Sequence, residues 1–513
     1  MDRRTLLQAA VAGLLAGRLP LWPAAARAQD APANQFSFDM VIARAREAAA
    51  SPYRRPLMKM GEPFADLSYD KYRAIRFRDD QRLFADTIRG FQMELLPPGA
   101  TFQDLVEINL VREGMAEPIQ FSTDYFHFDP DQFPYSDGRA PSGLAADMGF
   151  SGLRFRSTIN RPGVWDEVAV FQGASYFRAI ARDTLYGLSA RGLSIGTGGP
   201  DAEEFPIFTA FWVHEPPPGA RVLHLNALLD SDSVAGAFDL TLAPGTETVM
   251  QVQSVLFPRN EIATLGIAPL TSMFYFGPSR RAGVDDFRNA VHDSDGLRIV
   301  NGSGERLWRP LRNPPAAETS LFIDENPRAY GLVQRARAFE DYEDAETHYE
   351  RRASAWIEPG EGWGRGAVAL VELPSADEFS DNIVACWRPE APLPAGSEQR
   401  FSYRLTWGLV EPEQLPLARV VGTRSGLSII DARERVFVVD FDLGDIPLEN
   451  IVPHLSSSAG KLTGPTIVQL PDGNVARIGF HFVAGDERAA EFRLWLESEG
   501  VKASEVWLYR WSA

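Results

Sequence analysis

Cysteine is almost missing from this chain of 513 residues: Cys386 is the only one, so no intrachain disulfide can brace the fold. Flanked by Ala385 and Trp387 at the end of an apolar run, it reads as a small buried side chain. Histidine is scarce, with seven copies, and neither an HExxH pattern nor a clustered His/Cys spacing occurs. A zinc site is therefore not expected, and no metal or other cofactor is. Runs of Lys or Arg are absent and the formal charge is −18, which argues against nucleic acid or an anionic membrane surface as a partner. Beyond the first 28 residues no apolar stretch approaches the ~20 residues of a spanning helix, so the mature chain is not expected to cross a membrane. No internal repeat or low-complexity segment stands out.

The N-terminus reads as a targeting segment. Arg3-Arg4 stands before the apolar run Ala9 to Ala16, and Ala26-Arg27-Ala28 offers a small-x-small cleavage site. This is the pattern of a bacterial twin-arginine export signal covering residues 1–28, with an ordinary export signal carrying a chance Arg pair as the alternative. Either route leads out of the cytoplasm, and the periplasm is the expected location. Removing the segment takes away four arginines and one aspartate and carries the charge from −18 to −21.

A helix is expected over 37–49, with Ser37 as N-cap and Phe38, Val41, Ile42 and Ala45 on one face. A short turn follows at Tyr69–Tyr72. The pattern then changes to period two, at 119–122 and 237–242, and Pro244-Gly245 turns the chain into a strand over 249–257. Further strands are expected at 205–213 and 222–229. Short strands separated by Gly and Pro predict an all-β fold with a large N-terminal β-sandwich over 29–388. Three prolines and a glycine within 389–396 mark a linker. Beyond it, Phe401, Tyr403, Leu405 and Trp407 alternate, 436–441 is an apolar run, and Ala476, Ile478, Phe480 and Phe482 share a face after the turn at Pro471–Asn474. With Phe492, Leu494, Leu496 and the closing run 506–511, residues 397–513 predict a smaller immunoglobulin-like sandwich.

The chemistry concentrates between His292 and Trp387, where carboxylates mix with Tyr, Trp and Arg. That mixture suits sugar, since rings stack on aromatic faces, hydroxyls bond to Asp, Glu and Arg, and two carboxyls can do acid–base work. Competing readings exist. Gly192-Leu193-Ser194-Ile195-Gly196 matches the G-x-S-x-G pattern of serine hydrolases, but Thr197-Gly198-Gly199-Pro200 follows where that motif needs a helix. Glu340-Asp341 and Glu343-Asp344, taken alone, are a solvated charge cluster.

The chain also resembles the OpgG/OpgD (MdoG/MdoD) family, proteins for the biosynthesis of osmoregulated periplasmic glucans. The resemblance covers nearly the whole mature chain. It is carried by Gly173–Arg178 (GASYFR), Tyr186–Leu193 (YGLSARGL), Glu203-Glu204-Phe205-Pro206 and Ala268–Phe274 (APLTSMF), and by His292-Asp293-Ser294, Trp308-Arg309-Pro310-Leu311, Glu325-Asn326-Pro327 and Asp381-Asn382-Ile383-Val384-Ala385. The twin arginine looks like the D branch of the family rather than the G branch.

The resemblance implies the two-domain architecture read above and action on β-1,2-glucan, by inverting endo-hydrolysis or by transglycosylation that cyclises the chain through an α-1,6 link. Matched to the family motif, Asp381 falls on the general acid and Asp293 on the residue at the base end. Glu378, Tyr349 and Arg352 fall on cleft positions. Trp356 or Trp363 would supply a stacking face. An inverting pair needs one protonated carboxyl and one carboxylate, and burial beside Phe379 and Ile383 with Glu378 near would raise the acid's pKa. Two departures stand out: Ala353 follows Arg352 where members carry Pro, and Phe379-Ser380 replaces a polar Thr-Asn. An aromatic beside the acid would narrow the path for water and favour a sugar acceptor. Hydrolase and transglycosylase therefore stay open. So does a non-catalytic glucan-binding scaffold that serves the membrane glucan synthase. Oligomeric state stays open too.

Overall fold

The computed structural model describes residues 35–134, 138, 148–281, 283–409, 416–471 and 473–513; the expected export signal lies outside them. Helix Phe38–Ala49 starts after Ser37, which holds the N-cap position without a capping bond from its hydroxyl. Val41, Ile42 and Ala45 are buried and lie against the outer face of strands Leu223–Asp230, Val234–Ala243 and Thr248–Pro258. Among the described residues no helix is long and apolar enough to cross a membrane.

The rest is almost entirely strand. A ten-stranded sheet runs in the order Gln92–Leu96, Gly152–Ser157, Asp166–Gln172, Tyr176–Ala179, Ser189–Arg191, Leu265–Ser272, Ile383–Pro389, Arg365–Glu372 and Glu318–Glu325, with Leu193–Ile195 as a branch. Facing it is most of a fifteen-stranded sheet. That sheet passes from Arg306–Pro310 through Gly296–Val300, Ala329–Val333, Ser354–Pro359 and Gln399–Gly408, and continues through Thr248–Pro258 to Met115–Pro118. Alternating inward side chains of both sheets, among them Phe171, Phe211, Leu225, Leu270, Trp387 and Trp407, form one core, the arrangement of a β-sandwich. The predicted alternation over 237–242 and 249–257 falls in two of these strands. Ile119–Ser122 does not form a strand: Ile119 N–H still bonds the carbonyl of Ile108 at 2.8 Å, but Ser122 Oγ then caps a 3-10 turn through Asp124 N–H.

The expected boundary at 389–396 falls too early. Strand Gln399–Gly408 pairs along its length with Thr248–Pro258 on one side and Ser354–Pro359 on the other, so Tyr403, Leu405 and Trp407 belong to the large core. The prolines of 389–396 do produce an irregular link, but between two strands of the same sandwich. The small sandwich starts with Arg419–Leu427. Its five-stranded sheet holds Arg419–Leu427, Glu434–Asp442 and Val475–Val483 with two short strands. Its other sheet, Ile451–Ser457, Ala489–Ser498 and Val506–Ser512, is the end of the fifteen-stranded sheet, because Val506–Ser512 runs parallel to Arg306–Pro310. A second core follows, in which Phe437, Phe480, Phe492 and Trp507 pack with Val300, Trp308 and Trp356 of the large sandwich.

Trp507 sits where the two sandwiches share that core and is fully buried, with its indole N–H donated to Thr423 Oγ1 at 3.0 Å. Trp507→Ala is expected to lower stability by about 3–5 kcal/mol through lost burial and an unfilled cavity. Urea denaturation measures it, and a loss below about 1 kcal/mol would show that the shared core does not bind the two parts together.

Candidate active site

Strand ends in register create the site. Ser272 lies opposite Ile383, and Thr271 opposite Ser189, in neighbouring strands of the ten-stranded sheet. Met273 and the residues preceding Ile383 therefore leave the sheet at the same end. Asn382, nearly fully buried, ties them. Its Oδ1 accepts the N–H of Phe274 at 2.8 Å, and its Nδ2 donates to the carbonyls of Phe274 at 3.0 Å and Leu373 at 2.9 Å. Asp381 precedes this anchor. Asp293 is held to the same segment by its own N–H, donated to Met273 O at 2.9 Å. Ser294 Oγ meets Ser272 Oγ at 2.9 Å, and the ring of His292 stacks on Phe274 with centroids 5.0 Å apart. Burial lowers the pKa of His292, so it is neutral at pH 7.

Asp293 is buried, with 8% of its surface exposed. Its Oδ1 faces Arg352 Nε at 3.4 Å as an ion pair without hydrogen-bond geometry. Burial pushes the Asp293 carboxyl up to about 6, against the pull of Arg352, with Asp381 adding to the rise. Burial also raises Asp381, opposed by Arg178 and Arg191; Arg178 Nη2 stands 3.6 Å from Asp381 Oδ2. The Asp381 side chain keeps 30% of its surface open, so it still meets solvent.

Glu378 takes a different place from the one expected. It is paired with Arg288 Nη1 at 2.7 Å and accepts Tyr349 Oη at 3.3 Å. Its charge acts on Asp293 and Tyr349 rather than on Asp381. Tyr349 is buried, and burial, then Glu378 and Asp293, raises its pKa. The Arg352 guanidinium lies over the Tyr349 ring at 5.4 Å and also donates to Tyr186 O. Arg288 further binds Asp286 and Asp344, so Asp344 is a buried anchor and not part of a solvated cluster.

Asp293, Asp381, Glu378, Tyr349 and Arg352 are thus brought together. Trp356 is not. It is 3% exposed and packs into the core against the small sandwich, under Arg298, because Ser354–Pro359 is a central strand of the fifteen-stranded sheet. Trp363 is likewise buried, against Trp387 and Tyr403. Neither offers a face to a sugar. Ser194 lies buried within a short strand, with no nucleophile elbow.

Beside the pair opens a cleft of about 910 Å³ lined by Tyr53, Phe102, Tyr176, Arg178, Glu203 and Phe205, among others. Neither aspartate lines it; Arg178, which touches both cleft and Asp381, joins the two. Arg191 braces its floor: the guanidinium lies 4.5 Å from the Tyr176 ring centre and binds Glu203 at 2.6 Å. Arg178, Tyr176, Arg191 and Glu203 all stand in segments that carry the family resemblance, so a signal existed without a role attached. Arg288 stands in none of them. Among the described residues no group of His, Cys, Asp and Glu could hold a metal ion.

Comparison with known proteins identifies the relatives of the chain. The family described as "Periplasmic glucan biosynthesis protein, MdoG" matches residues 36–511. Relatives named "Glucans biosynthesis protein G" include one from Vibrio cholerae that is 44% identical over 483 residues, covering 93% of this chain and 87% of the relative. One from Shewanella sp. strain MR-4 is 41% identical, covering 96% and 91%. One from Rhodopseudomonas palustris strain BisA53 is 42% identical over the full length of both. These relatives carry the G name, whereas the twin arginine pointed to the D branch.

The raised carboxyl of Asp293 has a consequence for stability. The folded chain holds this proton up to about pH 6, while an unfolded Asp releases it near ~4. Between those values the folded state binds more protons, so stability falls as pH rises through the window. Asp293→Asn, which cannot ionise, should be more stable than wild type at pH 7.5 by on the order of 2–3 kcal/mol. The difference should vanish below about pH 4, where both states of wild type hold the proton. Urea titrations at both pH values test it; equal stability at pH 7.5 would mean that the ionised carboxyl is not strained.

Proposed function

The chain belongs to the MdoG family of periplasmic glucan biosynthesis proteins, and on that premise we propose that it is a periplasmic enzyme acting on β-1,2-glucan. The observation that carries this reading is the pair Asp293 and Asp381. Both carboxyls have raised pKa values and both hang from the 272–274 segment, beside a cleft walled by aromatic, Arg and carboxylate side chains. Neighbouring carboxyls with raised pKa values beside a cleft are what acid–base machinery requires. Inverting glycoside cleavage needs this equipment and no more: a carboxyl that gives its proton to the leaving oxygen, and a carboxylate that removes one from the attacking hydroxyl.

In this mechanism Asp381, open to the cleft side through Arg178, protonates the glycosidic oxygen as the bond to the anomeric carbon breaks. Asp293, with a carboxyl near 6, is largely ionised at pH 7 yet more basic than an ordinary carboxylate. It takes the proton from water or from a sugar hydroxyl attacking the opposite face of the ring. Arg352 holds the Asp293 charge, and Tyr349 and Glu378 complete the wall. Water as acceptor gives an inverting endo-β-1,2-glucanase. A glucan hydroxyl gives a transglycosylase, of which α-1,6 cyclisation is one outcome. The scaffold alternative, in which the chain binds glucan for the membrane glucan synthase without turning it over, leaves the raised carboxyl pair unused.

Incubating the purified protein with linear β-1,2-glucan, and reading products by mass and linkage, tests the proposal; unchanged glucan would leave only the binding role. Asp381→Asn and Asp293→Asn should each lower turnover by ~10²–10⁴-fold, with glucan binding kept within a few-fold. A glucoside with an activated leaving group, which needs no proton, should restore turnover to Asp381→Asn alone. Restoration of Asp293→Asn instead would reverse the two roles.

Phe379 decides a second outcome. It stands two residues before Asp381 and is 88% exposed, so its ring stays in solvent beside the acid. Phe379→Ser is expected to raise the share of hydrolysis over transfer without affecting thermal stability. An unchanged product ratio would remove Phe379 from acceptor choice.

A further inference from the structure

Asp293 is joined to the small sandwich by a short, continuous chain of contacts. It begins at Glu505, which is 3% exposed and immediately precedes Val506–Ser512. Both of its carboxylate oxygens accept from Arg335, at 2.8 and 2.9 Å. Oε2 also accepts the N–H of Val420 at 3.1 Å, and Arg335 donates to Val420 O at 2.6 Å. The guanidinium is sandwiched in place over the Trp308 ring, 3.6 Å from its centre. A bidentate guanidinium–carboxylate pair fixes direction as well as distance.

The backbone of the same arginine continues the chain. The N–H groups of Arg335 and Ala336 both donate to Asp295 Oδ2. Asp295 Oδ1 stands 3.5 Å from His292 Nε2. Next door, Gln334 Oε1 meets His292 Nδ1 at 3.1 Å, and its Nε2 donates to the carbonyls of His292 and Tyr349 at 3.2 and 3.1 Å. Residues 334–336 thus grip both flanks of Asp293, at His292 and Asp295, and the turn that carries Tyr349.

Close packing does not do this work alone. Between His292 and Asp295 on one side and strand Arg419–Leu427 on the other lies a cavity of about 120 Å³. Beside that cavity Val333, Trp308 and Val420 share the second core, and across it the directional link from 334–336 to the small sandwich is the Arg335–Glu505 pair, with Arg298 Nε 3.6 Å from Glu505 Oε1. We propose that Glu505 is a positioning residue for Asp293, acting through Arg335 and the 334–336 segment, so that the small sandwich sets the geometry of the base. The proposal rests on the reading of Asp293 given above.

Glu505→Gln keeps the shape but turns one accepting oxygen into an N–H₂ that cannot accept from Arg335. It should lower kcat on linear β-1,2-glucan about tenfold or more and leave KM within about twofold. Arg335→Lys, which keeps the charge and one contact, should lose less in the same direction and serves if Glu505→Gln does not fold. Ser425→Ala removes another bond between the sandwiches, to Ser279 O at 2.9 Å, which borders the same cavity but is no link of this chain of contacts, and should leave kcat unchanged. A wild-type kcat in folded Glu505→Gln or, where that variant does not fold, in Arg335→Lys overturns the proposal. So does an equal fall in Ser425→Ala, which would mean that any loosening of the interface suffices. Wild-type protein that releases no product defeats the enzymatic reading instead. The coupling is then read from the titration of the Asp293 carboxyl by carbon NMR, displaced in Glu505→Gln and not in Ser425→Ala if it exists, and unmoved in both if it does not.

Discussion

The site depends on one side chain that does no chemistry. Asn382 spends its whole amide on backbone, with two bonds to Phe274 and one to Leu373. Buried as it is, replacing it would strand three polar groups at about 1–3 kcal/mol each. What it secures is relative position. Asp381 is its chain neighbour, and the segment it locks supplies the carbonyl that holds Asp293. The carboxyls of Asp293 and Asp381 are thereby referenced to a single piece of backbone, and the surrounding strands keep that piece still.

Around this anchor the chain uses arginine where other proteins use packing. Arg288 draws three loops together through Asp286, Asp344 and Glu378. Glu372, buried in the large sandwich, accepts Arg309 and the N–H of Arg312. Glu94 accepts Arg82, Arg154 and Arg156. Buried pairs of this kind add little net stability, because desolvation offsets the attraction, but a broken one is costly. Their value here is directional: each admits one arrangement of the loops it joins. The strongly negative overall charge coexists with them because most of the acidic excess is on the surface.

Much of the fold was legible in the sequence. Alternation placed Ala476–Phe482 and Phe492–Leu496 in strands with those residues inward. It could not say which sheet a strand joins. Phe401, Tyr403, Leu405 and Trp407 alternate as cleanly in the large sandwich as they would in the small one, so prolines at 389–396 drew the boundary in the wrong place. Pairing partners come from distant segments, and local pattern carries no record of them. The same limit governed the site. Five expected residues converge: Asp293 and Asp381 stand beside strand ends held together in space, while Tyr349 and Arg352 come from a 3-10 turn and Glu378 from a loop. Trp356 was credited with a surface because aromatics suit sugars, yet a Trp in a central strand is core first. The partners of Glu378 were invisible, since Arg288 stands in no motif and reaches Glu378 only through the fold.

One feature of the topology bears on how the protein is made. Strand Val506–Ser512 is the bridge by which the fifteen-stranded sheet passes from one sandwich to the other. Until the ribosome has delivered it, the edge of Arg306–Pro310 stays open and Trp308 lacks its partner Trp507. Domains usually fold in order of synthesis, but here one edge of the earlier sandwich is covered by a strand of the later one. A growing or truncated chain therefore displays an unpaired strand edge, the kind of surface that invites misassociation.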